Sequence, residues 1–203
     1  MTAFDPGLLG HRCWLELATG ERVHLPVERW TAIPCDGDDV LLDACAGPTL
    51  DIGCGPGRLT AALTERGVAS LGVDISATAV RLTHARGAVA LRRDVFDSVP
   101  GEGRWRHLLL ADGNIGIGGD PLRLLKRASE LLTGGGTALV ELDPPGRGIR
   151  RDRVRLRPDD GGSWFTWAWV GAEAIAGLAA QSAFRVAWST RRGHRWFACL
   201  EKP

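Results

Sequence analysis

With 203 residues, 44% of them hydrophobic, the chain is long enough for one domain with a real core, and its formal charge of +1 supplies no global field for nucleic acid or a membrane surface. Its cysteines (Cys13, Cys35, Cys45, Cys54 and Cys199) form no C-x-x-C pair and no His–Cys spacing suited to zinc, so free thiols and no bound metal are expected. No basic-then-apolar leader stands at the start and no apolar run approaches the length of a membrane span, which points to a cytoplasmic protein.

From the N-terminus, Trp14-Leu15-Glu16-Leu17 and Arg22-Val23-His24-Leu25 alternate around Gly20 and predict a small hairpin. Trp30 and Pro34 end it, and a short helix is expected over 38–44, capped by Asp36 or Asp38. After Pro48, Leu50 and Ile52 read as a short buried strand, and Leu59, Ala62 and Leu63 recur at helical spacing. Gly53, Gly55 and Gly57 therefore occupy a strand-to-helix turn. Without Cβ atoms the backbone can approach a ligand there, and the helix end offers free N–H groups. A dinucleotide fingerprint would need its last glycine where Arg58 stands. Asp51 adds a carboxylate to the same crevice, a poor neighbour for a diphosphate and a good one for an ammonium group.

The stretch Leu50-Asp51-Ile52-Gly53-Cys54-Gly55-Pro56-Gly57 resembles the E/D-x-G-x-G-x-G motif I of the class I S-adenosylmethionine-dependent methyltransferases. Their methyl donor carries an ammonium group and no phosphate. Further stations keep that family's order. The apolar run 68–73 reads as a buried parallel strand ending in Asp74. An acid about 20 residues past the first glycine can accept ribose hydroxyls. The plainer reading makes Asp74 a loop residue or a helix cap, a role open to Ser76 as well. After a helix over 76–86 and a strand over 88–91 comes Asp94, which the resemblance implies for the adenine amino group, with Val95 against the ring.

A fourth strand over 105–112 leads into the loop 113–120, whose glycines permit close backbone approach and which should face the methyl group. Asp112 and Asn114 are its polar groups. The loop lacks the N/D-P-P-Y/F sequence that family members acting on DNA bases or protein glutamine often carry, so those acceptors are not expected. Asp120 should cap a helix over 121–132 with Pro121 in its first turn. The L-x-x-G-G-x-x-x-x-E run from Leu132 to Glu141 again resembles the family, ahead of a fifth strand over 137–142.

Alternation over 147–157 and 163–169, about a turn at 158–162, predicts an inserted hairpin. Arg153, Arg155 and Arg157 should share one face and Val154 and Leu156 the other, with Trp164 opposite Trp167 and Trp169. Such a hairpin could dock RNA through arginines and stacking rings, could be a solvated face with packed tryptophans, or could be a lid that recognises a small acceptor. A helix over 171–182 and a hairpin from 184–190 and 195–200 complete the chain.

The resemblance implies an α/β fold: a Rossmann-like, seven-stranded, mostly parallel sheet with helices on both faces and an antiparallel last strand. It covers about 48–143, and the chain is expected to be a single methyltransferase domain, 1–203, divided into an N-terminal flap (1–47), a cofactor-binding core (48–143), the inserted hairpin (144–170) and a C-terminal helix and hairpin (171–203). S-adenosyl-L-methionine is the implied cofactor, held by Asp51, Gly53, Cys54, Gly55, Gly57, Asp74, Ile75, Asp94, Val95, Ala111 and Asp112. If the acceptor is a hydroxyl, Asp112 is the first candidate for the base, with Asp143, His11 and His107 behind it; His107 begins a strand and should point away. Asn114, Asp143, His11, Trp14 and Trp30, with His24, are candidates for the substrate wall, although packing within the flap is the plainer role for the residues before Pro48. A small-molecule acceptor is expected. RNA or protein methylation through the arginine hairpin, non-catalytic binding of the donor, and NAD-dependent oxidoreduction are the alternatives.

Overall fold

The computed structural model describes residues 2–157 and 163–203; the turn expected over 158–162 and the side chain of Arg157 lie outside the described residues. Ahead of the glycine turn stand α1 (Asp5–Leu8), β1 (Trp14–Leu17), β2 (Arg22–His24), α2 (Val27–Thr31) and α3 (Asp38–Leu42). Neither α1 nor α2 is expected from the sequence pattern. Each is about one turn long and holds through what it packs on rather than through propensity. For α1 the anchor is Asp5, buried and accepting hydrogen bonds from Ser76 Oγ at 2.6 Å and Thr78 Oγ1 at 3.3 Å. The cap of α3 is Gly37, not an aspartate; Asp38 sits in the first turn, where its Oδ2 accepts the Cys35 N–H at 2.9 Å.

The core alternates β3 (Thr49–Ile52), α4 (Arg58–Glu65), β4 (Ser70–Asp74), α5 (Ala77–Ala85), β5 (Ala90–Arg92), β6 (Trp105–Leu110), α6 (Pro121–Leu131) and β7 (Leu132–Leu142). Ser76 Oγ caps α5 by accepting the Ala79 N–H at 3.1 Å, and Asp120 caps α6 through the Arg123 N–H at 3.1 Å. Then follow β8 (Ile149–Arg157), β9 (Phe165–Val170), α7 (Ile175–Gln181), β10 (Arg185–Arg192) and β11 (Arg195–Glu201).

The main sheet has the order β10-β11-β7-β6-β3-β4-β5, with β3 to β7 parallel and β11 antiparallel between β7 and β10. Helices cover both faces. Leu108 and Leu110 pack with Leu124, Leu125 and Leu178 on one side, while Leu109, Leu139 and Phe197 meet Leu41, Leu59 and Leu63 on the other. Continuous apolar strands are what such double coverage requires. This is the seven-stranded, mostly parallel architecture that the sequence implies.

The second sheet is not foreseen. The flap hairpin and the inserted hairpin, read from sequence as separate units, join through β1 and β8 into a four-stranded sheet of order β2-β1-β8-β9. Leu15 stands opposite Leu156 and Leu17 opposite Val154, and all of them are buried. Either hairpin alone would leave an open edge and little core, and pairing removes both deficits.

This sheet rests on the loop after β6. Two glycines of that loop, Gly116 and Gly119, approach β9, while Gly113 and Gly118 line the cavity described below. A Cβ on Gly116 would collide with the Ala168 carbonyl oxygen and lie 2.7 Å from Trp167 Nε1. Gly116→Ala should therefore cost about 1–3 kcal/mol of stability through overpacking, read as a lowered thermal midpoint.

Candidate active site

In the main sheet β3 has β4 on one side and β6 on the other, so the chain's crossovers diverge there and leave a crevice beyond the strand ends. A cavity of about 1050 Å³ occupies it, roofed by residues of α1, α2 and the four-stranded sheet. Small-molecule sites commonly span roughly 300–1,000 Å³, so this one has room for two reactants.

One side of the cavity gathers Asp51, Gly53, Cys54, Gly55, Asp74, Ile75, Asp94, Val95, Ala111 and Asp112. Asp51, on β3, is buried and receives Thr60 Oγ1 at 2.7 Å; burial pushes its carboxyl up to about 6, against that hydrogen bond. Asp74 spans the glycine turn and the next helix, accepting the Gly55 N–H at 3.1 Å and the Ser76 N–H at 2.8 Å, and burial raises it as well. Asp94 accepts the Phe96 N–H at 3.0 Å, and Val95 is buried beside it. Ile75 is exposed toward the cavity.

The glycines divide their duties. A Cβ on Gly57 would lie 2.7 Å from the Thr83 side chain and one on Gly53 2.8 Å from Asn114 Nδ2, so those two positions are small because protein packs on them. Gly57 does not line the cavity. Gly55 is different: its φ is +54°, and a Cβ there would meet nothing nearer than Leu8 at 3.5 Å. Its bare backbone faces the cavity.

At the ends of β6 and β7 an ion-pair network replaces the isolated base expected from sequence. Arg58 pairs with Asp38 and, at 2.5 Å, with Asp112. Arg29, from α2, reaches Asp112 at 2.7 Å and Glu141 at 3.5 Å. Arg195 holds Glu141 by two bonds of 2.8 and 2.9 Å and Asp38 at 2.9 Å. Glu141 also accepts the Asp112 N–H at 2.8 Å. Burial would raise Asp38 and Glu141, yet the arginines hold both below the ordinary carboxylate range. Asp112 is thus clamped between two cations. Arg29, Arg58 and Glu141 line the cavity and were missed; Arg58 reads in the motif only as a departure, and nothing in the flap marks Arg29.

Asn114 lines the cavity as expected, but its amide nitrogen is engaged. Its Nδ2 donates to the carbonyls of Ile52 and Gly53, both at 2.9 Å, and so braces the glycine turn. Asp143, past the end of β7, lines the cavity; burial raises its carboxyl, opposed by Arg147. His107 lies outside the cavity with both nitrogens engaged, Nε2 accepting the Ala46 N–H at 3.2 Å and Nδ1 meeting Thr137 Oγ1 at 2.8 Å. Burial lowers its pKa, in keeping with a neutral ring.

The roof sorts the flap candidates by strand alternation. Leu15 points into the cavity, so Trp14 points away, stacking beside His24 and under Arg22. His11 is exposed and does not line the cavity, so neither it nor Trp14 belongs to the substrate wall. Trp30 and His24 do line it. On β9, Phe165, Trp167 and Trp169 face the cavity, while Trp164 lies on the outside beneath Arg155 at 4.8 Å and Arg153 at 6.0 Å. Three of the hairpin arginines have acidic partners: Arg150 with Glu21 at 2.7 Å, Arg151 with Asp120 at 3.2 Å and Arg155 with Glu16 at 2.8 Å. A face neutralised in this way offers little to phosphates.

Among the described residues no helix is long and apolar enough to cross a membrane. Residues 49–136 match the family described as "Methyltransferase domain". No curated protein matches the chain in sequence. Among solved structures, a SAM-dependent methyltransferase from Bacteroides fragilis, in complex with S-adenosyl-L-homocysteine, is similar over 98% of this chain and 95% of its own, with 20% identity and a TM-score of 0.79. The glycopeptide N-methyltransferase MtfA complexed with S-adenosylmethionine shares 16% identity over 85% of this chain and 98% of that one, at a TM-score of 0.63. The Burkholderia thailandensis 1,6-didemethyltoxoflavin-N1-methyltransferase shares 19% over 76% and 70%, at 0.59. These likenesses are of fold. Residues 49–136 thus carry the sequence pattern of a methyltransferase domain, and the fold of the chain is the one that S-adenosylmethionine-dependent methyltransferases adopt.

Proposed function

We propose that the chain transfers a methyl group from S-adenosylmethionine to a small organic acceptor bound under the four-stranded roof. The observation that carries this reading is one cavity holding both the bare Gly55 backbone, with carboxylates from three successive strand ends, and a second compartment walled by α2 and β9. The residues suit the donor. Asp51 and the Gly55 turn would hold its methionine end, Asp74 the ribose hydroxyls, and Asp94, Val95 and Ile75 the adenine. When bound, the donor supplies a methyl group on a sulfonium that departs as a neutral thioether. The protein then has to align the two reactants and exclude water, which accounts for a roof that closes over both.

Titration of donor into the protein, followed by labelled-methyl transfer into a metabolite extract, tests the reading; donor binding with no labelled small-molecule product would overturn it. Asp51 adds a pH signature. Its ionised form attracts the ammonium group, and that form is lost as pH falls through about 6. Donor affinity should hold above that value and fall by roughly tenfold per pH unit below it. Asp51→Asn should bind more weakly and lose this dependence, as calorimetry across pH 5 to 8 would show.

A further inference from the structure

The acceptor compartment has a charge and a wall that together select among nucleophiles. The network of Arg29, Arg58 and Arg195 with Asp38, Asp112 and Glu141 balances three cations against three carboxylates. Asp143 stands beside it without a balancing partner. Its carboxylate has no side-chain hydrogen bond or ion pair among the described residues, and the exposed Arg147 acts on it only through its longer-range charge. The same cavity carries a wall of ring faces and edges, which Asp143 adjoins through its N–H bond to the Val170 carbonyl at the end of β9: Phe4 packs at 6.4 Å from Trp30, 5.6 Å from Phe165 and 5.5 Å from Trp167, all of them lining the cavity. Trp169 extends that wall along β9.

Resting on the methyl-transfer reading above, we propose that the acceptor is an amine: a small molecule with an apolar or aromatic body seated on the ring wall, whose nitrogen is methylated beside Asp143. The charge flow of the reaction decides between nitrogen and oxygen. An amine bound as its ammonium ion first gives one proton to water; the nitrogen lone pair so freed forms the N–C bond, the C–S electron pair leaves with sulfur as a neutral thioether, and the positive charge moves onto nitrogen, giving the methylated ammonium product. An unbalanced carboxylate and π-faces stabilise charge arriving there. A phenol or acid would have to attack as an anion, which Asp143 repels and which the ring faces do not favour.

The test uses the protein saturated with S-adenosylhomocysteine and calorimetry at neutral pH with matched pairs: tryptamine against tryptophol, and 2-phenylethylamine against 2-phenylethanol. The amines should bind roughly tenfold more tightly than their alcohols. Asp143→Asn should erase that preference while S-adenosylhomocysteine affinity stays at the wild-type value, which also shows the variant to be folded. Alcohols or 2-naphthol binding as tightly as the amines, no amine binding, or a preference that survives Asp143→Asn would overturn the proposal. Failure of S-adenosylhomocysteine to bind the wild-type protein would instead strike the methyl-transfer reading itself.

Discussion

Gly55→Val is expected to reduce S-adenosylmethionine affinity by roughly a hundredfold or more, measured by calorimetry. Two effects add. Valine at a φ of +54° is strained by about 1–3 kcal/mol, and its side chain projects into the space where only Leu8 lies within reach, that is, into the cavity itself. The companion variant Asp74→Ala should weaken binding for a different reason, because it removes the acceptor that positions both the Gly55 and Ser76 N–H groups. Wild-type affinity in both variants would show that the donor lies elsewhere.

Arg58→Met should be the most destabilising of the substitutions considered, by about 3–5 kcal/mol at neutral pH. Methionine fills similar volume but leaves Asp38, fully buried, and Asp112 each without one cationic partner. The pH dependence follows from the signs. Asp38 and Glu141 are depressed below their ordinary values in the folded protein, so their contribution to stability is present above those values and is lost as pH falls through the folded ones. In Arg58→Met the depression of Asp38 is relieved, so the gap from wild type should narrow as the solution is acidified. Asp38→Asn placed in the same chain should recover part of the loss. Chemical denaturation of the three proteins at two pH values checks this, and an unchanged midpoint in Arg58→Met would mean that the network adds nothing to the fold.

The same network explains why Asp112 looked catalytic in the sequence and does not in the fold. A carboxylate at the tip of a central strand, followed by a glycine-rich loop, is where chemistry is expected in an open parallel sheet. The partners that neutralise it come from positions 29 and 58, and only folding brings α2 and α4 against the end of β6. Asn114 lines the cavity as its place in the loop suggests, and strand order adds a second duty by putting its amide within reach of the Ile52 and Gly53 carbonyls, since buried carbonyls at a turn take up such a donor. In the flap, alternation was legible from Trp14 onward but not which face would be inward. That depended on a pairing partner, β8, more than 130 residues away.

The sequence by itself determined the strands and helices of the main sheet and the glycine turn at its centre, because those rest on local physics: apolar runs that must be covered on both faces, caps at Ser76 and Asp120, and glycines at one strand-to-helix turn; the family resemblance supplied their order in the sheet. The sequence also placed the acids that end three strands, since strand ends follow from where apolar runs stop. Only the tertiary structure decided the roof, the clamp on Asp112 and the isolation of Asp143. Each of these is a pairing between distant segments, and a one-dimensional pattern records what a residue can pair with but not which partner the closed chain brings to it.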